Sequence, residues 1–200
     1  MNYFICTIIG YLLGCINAAY LVGRRKGFDI RERGSNNPGA SNVTITMGVK
    51  AGAVVALWDI AKAIIAVLIV KNLFRDMEYA AAIAGVACVI GHMFPIFLSF
   101  KGGKGFASFL GMMLILNWRA FLVLIALAII ITFVTDYIAI ATLATAISYP
   151  IYIVLSSGEW VVSLIISVAS FAMVCKHIVN IKKIISGNEI GLSSLWRKTV

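Results

Sequence analysis

The segment SFKGGKGFAS at residues 99–108 places two lysines and three glycines inside an otherwise apolar part of the chain. Glycine accepts tight turns and lets a ligand approach the main chain closely, and lysine supplies positive charge. Gly102, Gly103 and Lys104 are therefore candidates for binding an anion such as phosphate. The lysines could instead be topology signals only, although topology does not require the glycines. His92, shortly before this loop, could equally satisfy a helix end or contact a ligand.

A second polar cluster, RERGSNNPGASNVT, occupies residues 31–44. Its glycines and Pro38 disfavour helix, and such a loop can present successive backbone N–H groups to an anion. A solvated loop with ordinary turn chemistry is the alternative. The candidate binding residues of this cluster are Ser35, Asn37, Gly39, Ser41 and Asn42.

A third polar cluster, KHIVNIKKIISGNEIG, occupies residues 176–191. His177, Asn180 and Lys183 follow one another at intervals of three residues, so a helix would place neighbouring members on one face. Glu189 follows after a glycine. We consider these four residues candidates for a site, with an amphipathic helix at the membrane surface as the alternative.

The elements that must position these clusters are membrane helices. Apolar residues make up 62% of the chain and charged residues only 12%, whereas a soluble domain is about half apolar. Several uncharged runs reach the roughly 20 residues that cross a bilayer, and the first is expected to persist as a helix. We predict an all-α integral membrane protein, one domain over residues 1–200, with about seven membrane helices; five full spans are the alternative. The runs are 1–23, 51–58 with 63–70, 79–100, the shorter 105–118, 120–135, 137–158 and 160–175.

Basic residues predict how these helices are oriented. With the N-terminus outside and the C-terminus inside, outer loops carry only Lys71, Arg75 and Arg119, and all three polar clusters lie on the inner face. The net charge of +9 then suits lipid headgroups or an anionic substrate. It is spread over membrane loops without interleaved aromatic residues, which argues against nucleic acid as a partner. The basic residues assigned to the inner side are Arg24, Arg25, Lys26, Arg31, Arg33, Lys50, Lys101, Lys104, Lys176, Lys182, Lys183, Arg197 and Lys198.

Together the three clusters resemble one family, the bacterial acyl-phosphate-dependent glycerol-3-phosphate acyltransferases. Members carry G-S-x-N-x-G-A-S/T-N, G-H-x-x-P-x-F-x-x-F-K-G-G-K-G and R-H-x-x-N-I-x-R-x-x-x-G-x-E. The corresponding segments here are GSNNPGASN, GHMFPIFLSFKGGKG and KHIVNIKKIISGNE. The resemblance covers nearly the whole chain, including an Asp59–Lys62 pair that is either an internal ion pair or part of the site.

The resemblance implies transfer of a fatty acyl group from acyl phosphate to the 1-hydroxyl of glycerol 3-phosphate. The products are lysophosphatidic acid and phosphate, at the start of phospholipid biosynthesis. It implies a multi-pass protein of the bacterial cell membrane, with a cytoplasmic active site, no cofactor, and membrane lipids as its surroundings; a monomer is compatible with it. The four cysteines are dispersed without ligand spacing, so we expect no metal site.

The resemblance also implies roles for individual residues. Lys104 is expected to stabilise phosphate and the developing oxyanion, and Asn180 to position substrate. His177 could be the general base because its ordinary pKa is near neutrality, or the departing phosphate could accept the proton instead. The expected catalytic residues are Ser35, Lys104, His177 and Asn180. The expected binding residues are Asn37, Gly39, Ser41, Asn42, Gly102, Gly103, Lys183 and Glu189.

One departure from the family pattern is Ile45, which stands where relatives carry an arginine three residues after Asn42. Arginine would clamp a phosphate with two hydrogen bonds. A divergent relative with a different acceptor is therefore an alternative function. A non-enzymatic transporter of small anions is another, although it would require polar residues near the bilayer midplane and usually a repeat.

Overall fold

The computed structural model describes residues 2–194, and these are helical without any strand. The all-α prediction is therefore confirmed for the described part of the chain. Arg197 and Lys198, which entered the prediction of orientation, lie outside it. The helices are α1 (Asn2–Cys15), α2 (Ala18–Arg25), α3 (Ala40–Met47), α4 (Val49–Leu73), α5 (Ala80–Met93), α6 (Phe106–Leu116), α7 (Trp118–Thr135), α8 (Ile138–Ser157) and α9 (Trp160–Ile185).

Seven helical segments in the described residues are apolar enough for a membrane. Six are long enough to cross it, and α6, with 11 residues, is shorter than the roughly 20 that a full crossing needs. The prediction of about seven segments with a short one at 105–118 is thus confirmed, and the five-span alternative is wrong. The six long segments are Asn2–Arg25, Val49–Leu73, Ala80–Leu98, Trp118–Thr135, Ile138–Ser157 and Trp160–Ile185.

The helices form two compact units, divided between Leu116 and Asn117. In the first unit α1 packs on α5, and α4 packs on α3, α5 and α6; in the second, α8 packs on both α7 and α9. The single-domain prediction concerns the relation between these units and stays a prediction, as does the orientation of the termini.

Two glycines of α1 allow α1 and α5 to pack backbone to backbone. A Cβ atom on Gly10 would lie 2.2 Å from the carbonyl oxygen of Ala84, and one on Gly14 would lie 2.1 Å from that of Cys88. The glycines are four residues apart and so share a face, as in the small-residue contacts of membrane helices. This close approach brings the end of α1 alongside the second half of α5.

The first span is two helices rather than the single helix expected from the run 1–23. The break lies at Ile16 and Asn17, where the Asn17 Oδ1 caps α2 by accepting the N–H of Tyr20 at 2.8 Å. The Asn17 Nδ2 donates to the carbonyl oxygen of Pro38 at 3.0 Å. Asparagine competes with helix by bonding to nearby backbone, and here its second bond ties the break to the first polar loop.

The last span also differs from its uncharged run. α9 continues beyond residue 175 to Ile185, so the third cluster starts as the final turns of a membrane helix. It is therefore not a separate amphipathic helix. His177 and Asn180 are buried, whereas Lys183 is exposed.

Candidate active site

The first polar loop is built around the side chain of Asn42, which is fully buried. Its Nδ2 donates to the carbonyl oxygens of Ile30 at 3.0 Å and Arg33 at 2.9 Å. Its Oδ1 accepts the backbone N–H of Ser35 at 2.8 Å. All three contacts fold the loop back on itself. Asn42, predicted as a binding residue, therefore holds Ser35 in place through its backbone.

The rest of this loop leads into the N-terminus of α3. Ser35 and Asn37 are half-buried, Gly39 is buried, and Ser41 is exposed in the first turn of the helix. A Cβ atom on Gly39 would lie 2.9 Å from the Nδ2 of Asn37, so the main chain and an amide side chain approach closely there. The first N–H groups of a helix lack intrahelical partners and attract anions.

The second polar loop is fixed on the end of α5. The N–H of Gly102 donates to the carbonyl oxygen of Met93 at 3.2 Å, and that of Gly103 donates to the carbonyl oxygen of His92 at 3.1 Å. A Cβ atom on Gly103 would lie 2.1 Å from the His92 Nε2. These glycines are therefore required for packing on α5, a reason that the sequence did not show. Lys104 follows directly and is half-buried.

The two loops are joined to each other at one end of the first unit. The Nη1 of Arg31, in the first loop, donates to the carbonyl oxygen of Leu98, before the second, at 3.2 Å. Asp29 orients the same guanidinium through a 2.7 Å ion pair. Hydrogen bonds from Arg31 lower the pKa of the Asp29 carboxyl to about 2. The first two predicted clusters thus lie side by side, held by a side chain that was not among the predicted site residues.

Beneath the loops lies a buried polar cluster made of Asp59, Lys62 and His92. The Lys62 Nζ is 2.8 Å from the Asp59 Oδ1 and 2.9 Å from the His92 Nδ1. It also donates to the carbonyl oxygens of Gly14 at 3.0 Å and Ile16 at 2.9 Å. The Asp59–Lys62 pair is therefore an internal ion pair. His92 faces this pair from the end of α5 and is itself buried.

The third cluster lies in the second unit, where its polar groups are ordered by α9. The Nδ1 of His177 is 2.8 Å from the carbonyl oxygen of Met173, which can only accept. Nδ1 therefore carries the proton of the neutral ring, and Nε2 is the basic nitrogen. The Nδ2 of Asn180 donates to the Glu189 Oε1 at 2.5 Å.

Asn180 presents a buried acceptor that the described residues do not satisfy. Its Oδ1 is buried and has no hydrogen-bond partner in the part of the chain that the structure describes. Because nearly all buried polar atoms are hydrogen-bonded, such an atom is suited to accept a hydrogen bond from a ligand. Glu189 holds the other end of this amide, which fixes the direction in which Oδ1 points.

Asp136, in the turn between α7 and α8, fastens the chain after Glu189. Its carboxylate accepts the N–H and the hydroxyl of Ser193, both at 2.7 Å, and its carbonyl oxygen accepts the N–H of Leu192 at 2.8 Å. A Cβ atom on Gly191 would collide with the same carboxylate. Sequence analysis missed this residue, although it is the one charged side chain between residues 120 and 158.

Comparison with known proteins gives consistent matches along the chain. A family model described as glycerol-3-phosphate acyltransferase matches residues 4–187. Glycerol-3-phosphate acyltransferase 1 of Oceanobacillus iheyensis is 37% identical over 99% of each chain. Glycerol-3-phosphate acyltransferase of Bacillus subtilis is 36% identical over 91% of this chain and 93% of its own.

Two crystal structures have the same fold. They are of PlsY (YgiH), described as an integral membrane glycerol 3-phosphate acyltransferase. Its glycerol 3-phosphate form is 30% identical, covers 96% of each chain and has a TM-score of 0.89. Its lysophosphatidic acid form is also 30% identical, covers 98% of this chain and 97% of its own, and has a TM-score of 0.87.

Proposed function

The chain belongs to the glycerol-3-phosphate acyltransferase family, and on that premise we propose that it acylates the 1-hydroxyl of glycerol 3-phosphate with acyl phosphate. The new ester bond joins this oxygen to the acyl carbon as the bond from that carbon to phosphate breaks. The products are lysophosphatidic acid and phosphate. Solved forms of a relative with glycerol 3-phosphate and with lysophosphatidic acid support this choice of acceptor and product.

The observation that carries the proposal is the pairing of the two loops in the first unit. Each is rich in backbone N–H groups and small residues, and the Arg31 contact joins them. Both proposed substrates carry a phosphate, which such loops bind through polar side chains and remaining main-chain amides. The N–H groups of Gly39, Gly102 and Gly103 already donate to main-chain carbonyl oxygens, so these glycines are assigned to the close approach of the phosphate to the main chain. Binding at these loops is assigned to Asn37, Gly39, Ser41, Gly102 and Gly103.

Lys104 is proposed as the fixed positive charge of the reaction. It directly follows Gly103, which is tied to the end of α5, and its half-buried position screens it less than a fully exposed lysine. Attack on the acyl carbon moves negative charge onto the carbonyl oxygen and then onto the departing phosphate. A positioned cation stabilises that charge more in the transition state than in the ground state.

Ser35, His177 and Asn180 are proposed to handle the acceptor. The Ser35 hydroxyl belongs to the turn that Asn42 fixes, and is assigned to hydrogen bonding with substrate. The Oδ1 of Asn180 is assigned to accept the hydrogen bond of the attacking hydroxyl, which orients its lone pair. The proton goes either to the His177 Nε2 or to the departing phosphate. Either route accounts for the proton of the attacking hydroxyl, and either leaves an uncharged ester group.

The remaining predicted residues support this chemistry less directly. Glu189 orients the Asn180 amide, and exposed Lys183 raises the positive potential that attracts anionic substrates. We propose that the site faces the cytoplasm of a bacterial cell membrane. No cofactor is needed because acyl phosphate is already activated, and one chain carries all the assigned residues.

The experiment compares two lysines of the same loop. Lys104→Ala and Lys101→Ala are purified in detergent, and lysophosphatidic acid formed from acyl phosphate and glycerol 3-phosphate is quantified by mass spectrometry. We expect Lys104→Ala to lower kcat/KM by about 100-fold or more, the range for removing an oxyanion donor. Exposed Lys101 is the matched control, expected to stay within about threefold. Activity of Lys104→Ala within about threefold of the parent, like that of the control, would show that Lys104 is only a topology signal.

A further inference from the structure

We propose that Lys62 and His92 are positioning residues that fix the two phosphate-binding loops relative to each other, a role that rests on the proposed function. Both side chains are buried, with 2% and 3% of their surface exposed. They meet at the 2.9 Å contact between the Lys62 Nζ and the His92 Nδ1. Neither side chain is assigned to substrate, so they act through what they hold.

The connection to the first loop runs through the break between α1 and α2. Carbonyls at a helix end lack intrahelical partners, and the Lys62 ammonium takes two of them, from Gly14 and Ile16. The next residue, Asn17, donates to the carbonyl oxygen of Pro38, within the first loop. The location of that loop therefore depends on where Lys62 holds the break.

The connection to the second loop runs through His92. Its Nδ1 faces the ion pair. A Cβ atom on Gly103 would lie only 2.1 Å from its Nε2. Its carbonyl oxygen accepts the N–H of Gly103. The ring and the main chain of His92 thus both contact the residue before Lys104. Rotating this ring would displace the peptide that presents the lysine.

Stability alone does not account for the buried pair. Replacing a buried ion pair by apolar residues of similar volume is often neutral or stabilising, and ionised groups within a membrane span are costly. Attachment to both loops does account for it, because misplacing a reacting group by about 1 Å can lower a rate about 100-fold. The buried Lys62 ammonium is connected to both loops and so fixes the position of each relative to the other.

The first test replaces the ion pair with apolar residues, Asp59→Leu together with Lys62→Met. The expected result is a folded protein whose kcat/KM falls by about 30-fold or more, mostly through higher KM for both phosphate-bearing substrates. Gly85→Ala is the matched control: its Cβ would lie 2.4 Å from the flexible Met112 side chain in the same bundle. It is expected to lower Tm without changing KM. Parent kinetics in the folded double variant would overturn the proposal.

The second test relieves a collision. Gly103→Ala alone forces a Cβ into the His92 ring and is expected to lower kcat/KM by about 100-fold. His92→Asn keeps an amide atom near Nδ1 but has no atom at Nε2, so it removes the obstacle. In that background the loss caused by Gly103→Ala is expected to be at least about tenfold smaller than in the parent. Equal losses in the two backgrounds would overturn the role of the ring.

A binding measurement separates this proposal from the proposed function. Inorganic phosphate should raise the Tm of the parent, and the His92→Asn variant should need about tenfold more phosphate for the same rise. If the parent makes no lysophosphatidic acid but shows this difference, only the proposed reaction is wrong. If the parent is active and phosphate responses are identical, only the positioning role is wrong. If His92→Asn does not fold, the same measurement is made on His92→Gln. This variant keeps an amide near Gly103 but loses the Nδ1 contact, and it should also need about tenfold more phosphate for the same rise in Tm.

Discussion

Substitution of Asn42 by aspartate is a sharp test of the first loop, because replacing one atom of the side chain removes the donor of two hydrogen bonds. Asn42→Asp keeps the shape of the side chain and the oxygen that accepts the N–H of Ser35. It replaces the donor that serves the carbonyls of Ile30 and Arg33 with a second oxygen. Two attractive contacts become oxygen-to-oxygen repulsions in a fully buried position.

The size of the effect follows from these contacts. A buried polar group left without its partner costs about 1–3 kcal/mol. The total cost for the two carbonyl oxygens is reduced because Arg33 lies at the surface, where water can partly replace the lost donor. We therefore expect a loss of roughly 2–4 kcal/mol. For a protein of this length each kcal/mol lowers Tm by about 2–4 °C, so Tm should fall by at least about 4 °C. Because the loop that carries Ser35 is no longer bonded at Ile30 and Arg33, Ser35 is displaced even though its own N–H bond is kept, and kcat/KM should fall by about tenfold or more.

The assay combines thermal unfolding in detergent with steady-state acylation of glycerol 3-phosphate. Asn72→Asp is the matched control, since it makes the same chemical change on an exposed residue of α4, and it should alter neither measurement. An Asn42→Asp protein with the parent's Tm and kcat/KM would refute the view that this side chain organises the loop. A lower Tm with full activity would refute the link between the loop and the reaction.

Three further predictions concern the substrate, pH and orientation. If glycerol 3-phosphate is the acceptor, Ile45→Arg should lower its KM about tenfold, the effect of one charged hydrogen bond; unchanged kinetics would favour another acceptor. Because Arg31 lowers the folded pKa of Asp29 to about 2, below the usual value near 3.9, this pair stabilises the protein above about pH 4 and the contribution is lost as pH falls through 2. Tm should therefore fall more steeply between pH 4 and 2 in the parent than in Asp29→Asn, and parallel curves would contradict this. Single cysteines at positions 37 and 188 should be labelled only from the cytoplasmic side, and labelling of position 37 from outside would reverse the orientation.

Sequence was sufficient for the membrane segments because bilayer thickness sets their length and composition. It was not sufficient for the break at Asn17, since one polar residue hardly changes the hydropathy of a run. The cause of the break is a contact with Pro38, 21 residues away. In the same way, α9 extends past its uncharged run because packing buries His177 and Asn180, which a charge count treats as loop residues.

The polar clusters could be recognised because glycines and charges stand out against apolar surroundings. Their internal order could not, because it depends on tertiary partners. The sequence left His92 undecided between a helix end and a ligand, and the deciding partner, Lys62, lies 30 residues earlier on another helix. The contacts of Asn42 within its own loop could not be predicted, since spacing alone does not reveal them, and its role in binding substrate stays a prediction. Arg31 stands at the start of the first polar cluster and Asp136 has no motif around it, and in both cases only the contacts show what the side chain holds.

The identity of the acyl donor decides whether the proposed reaction is the one that this protein catalyses. The purified parent protein would be given glycerol 3-phosphate with either acyl phosphate or a fatty acyl thioester of the same chain length. Lysophosphatidic acid and phosphate would be quantified together. We expect equal amounts of the two products from acyl phosphate, acylation at the 1-hydroxyl, and no lysophosphatidic acid from the thioester. Lysophosphatidic acid formed from the thioester but not from acyl phosphate would contradict the proposed reaction.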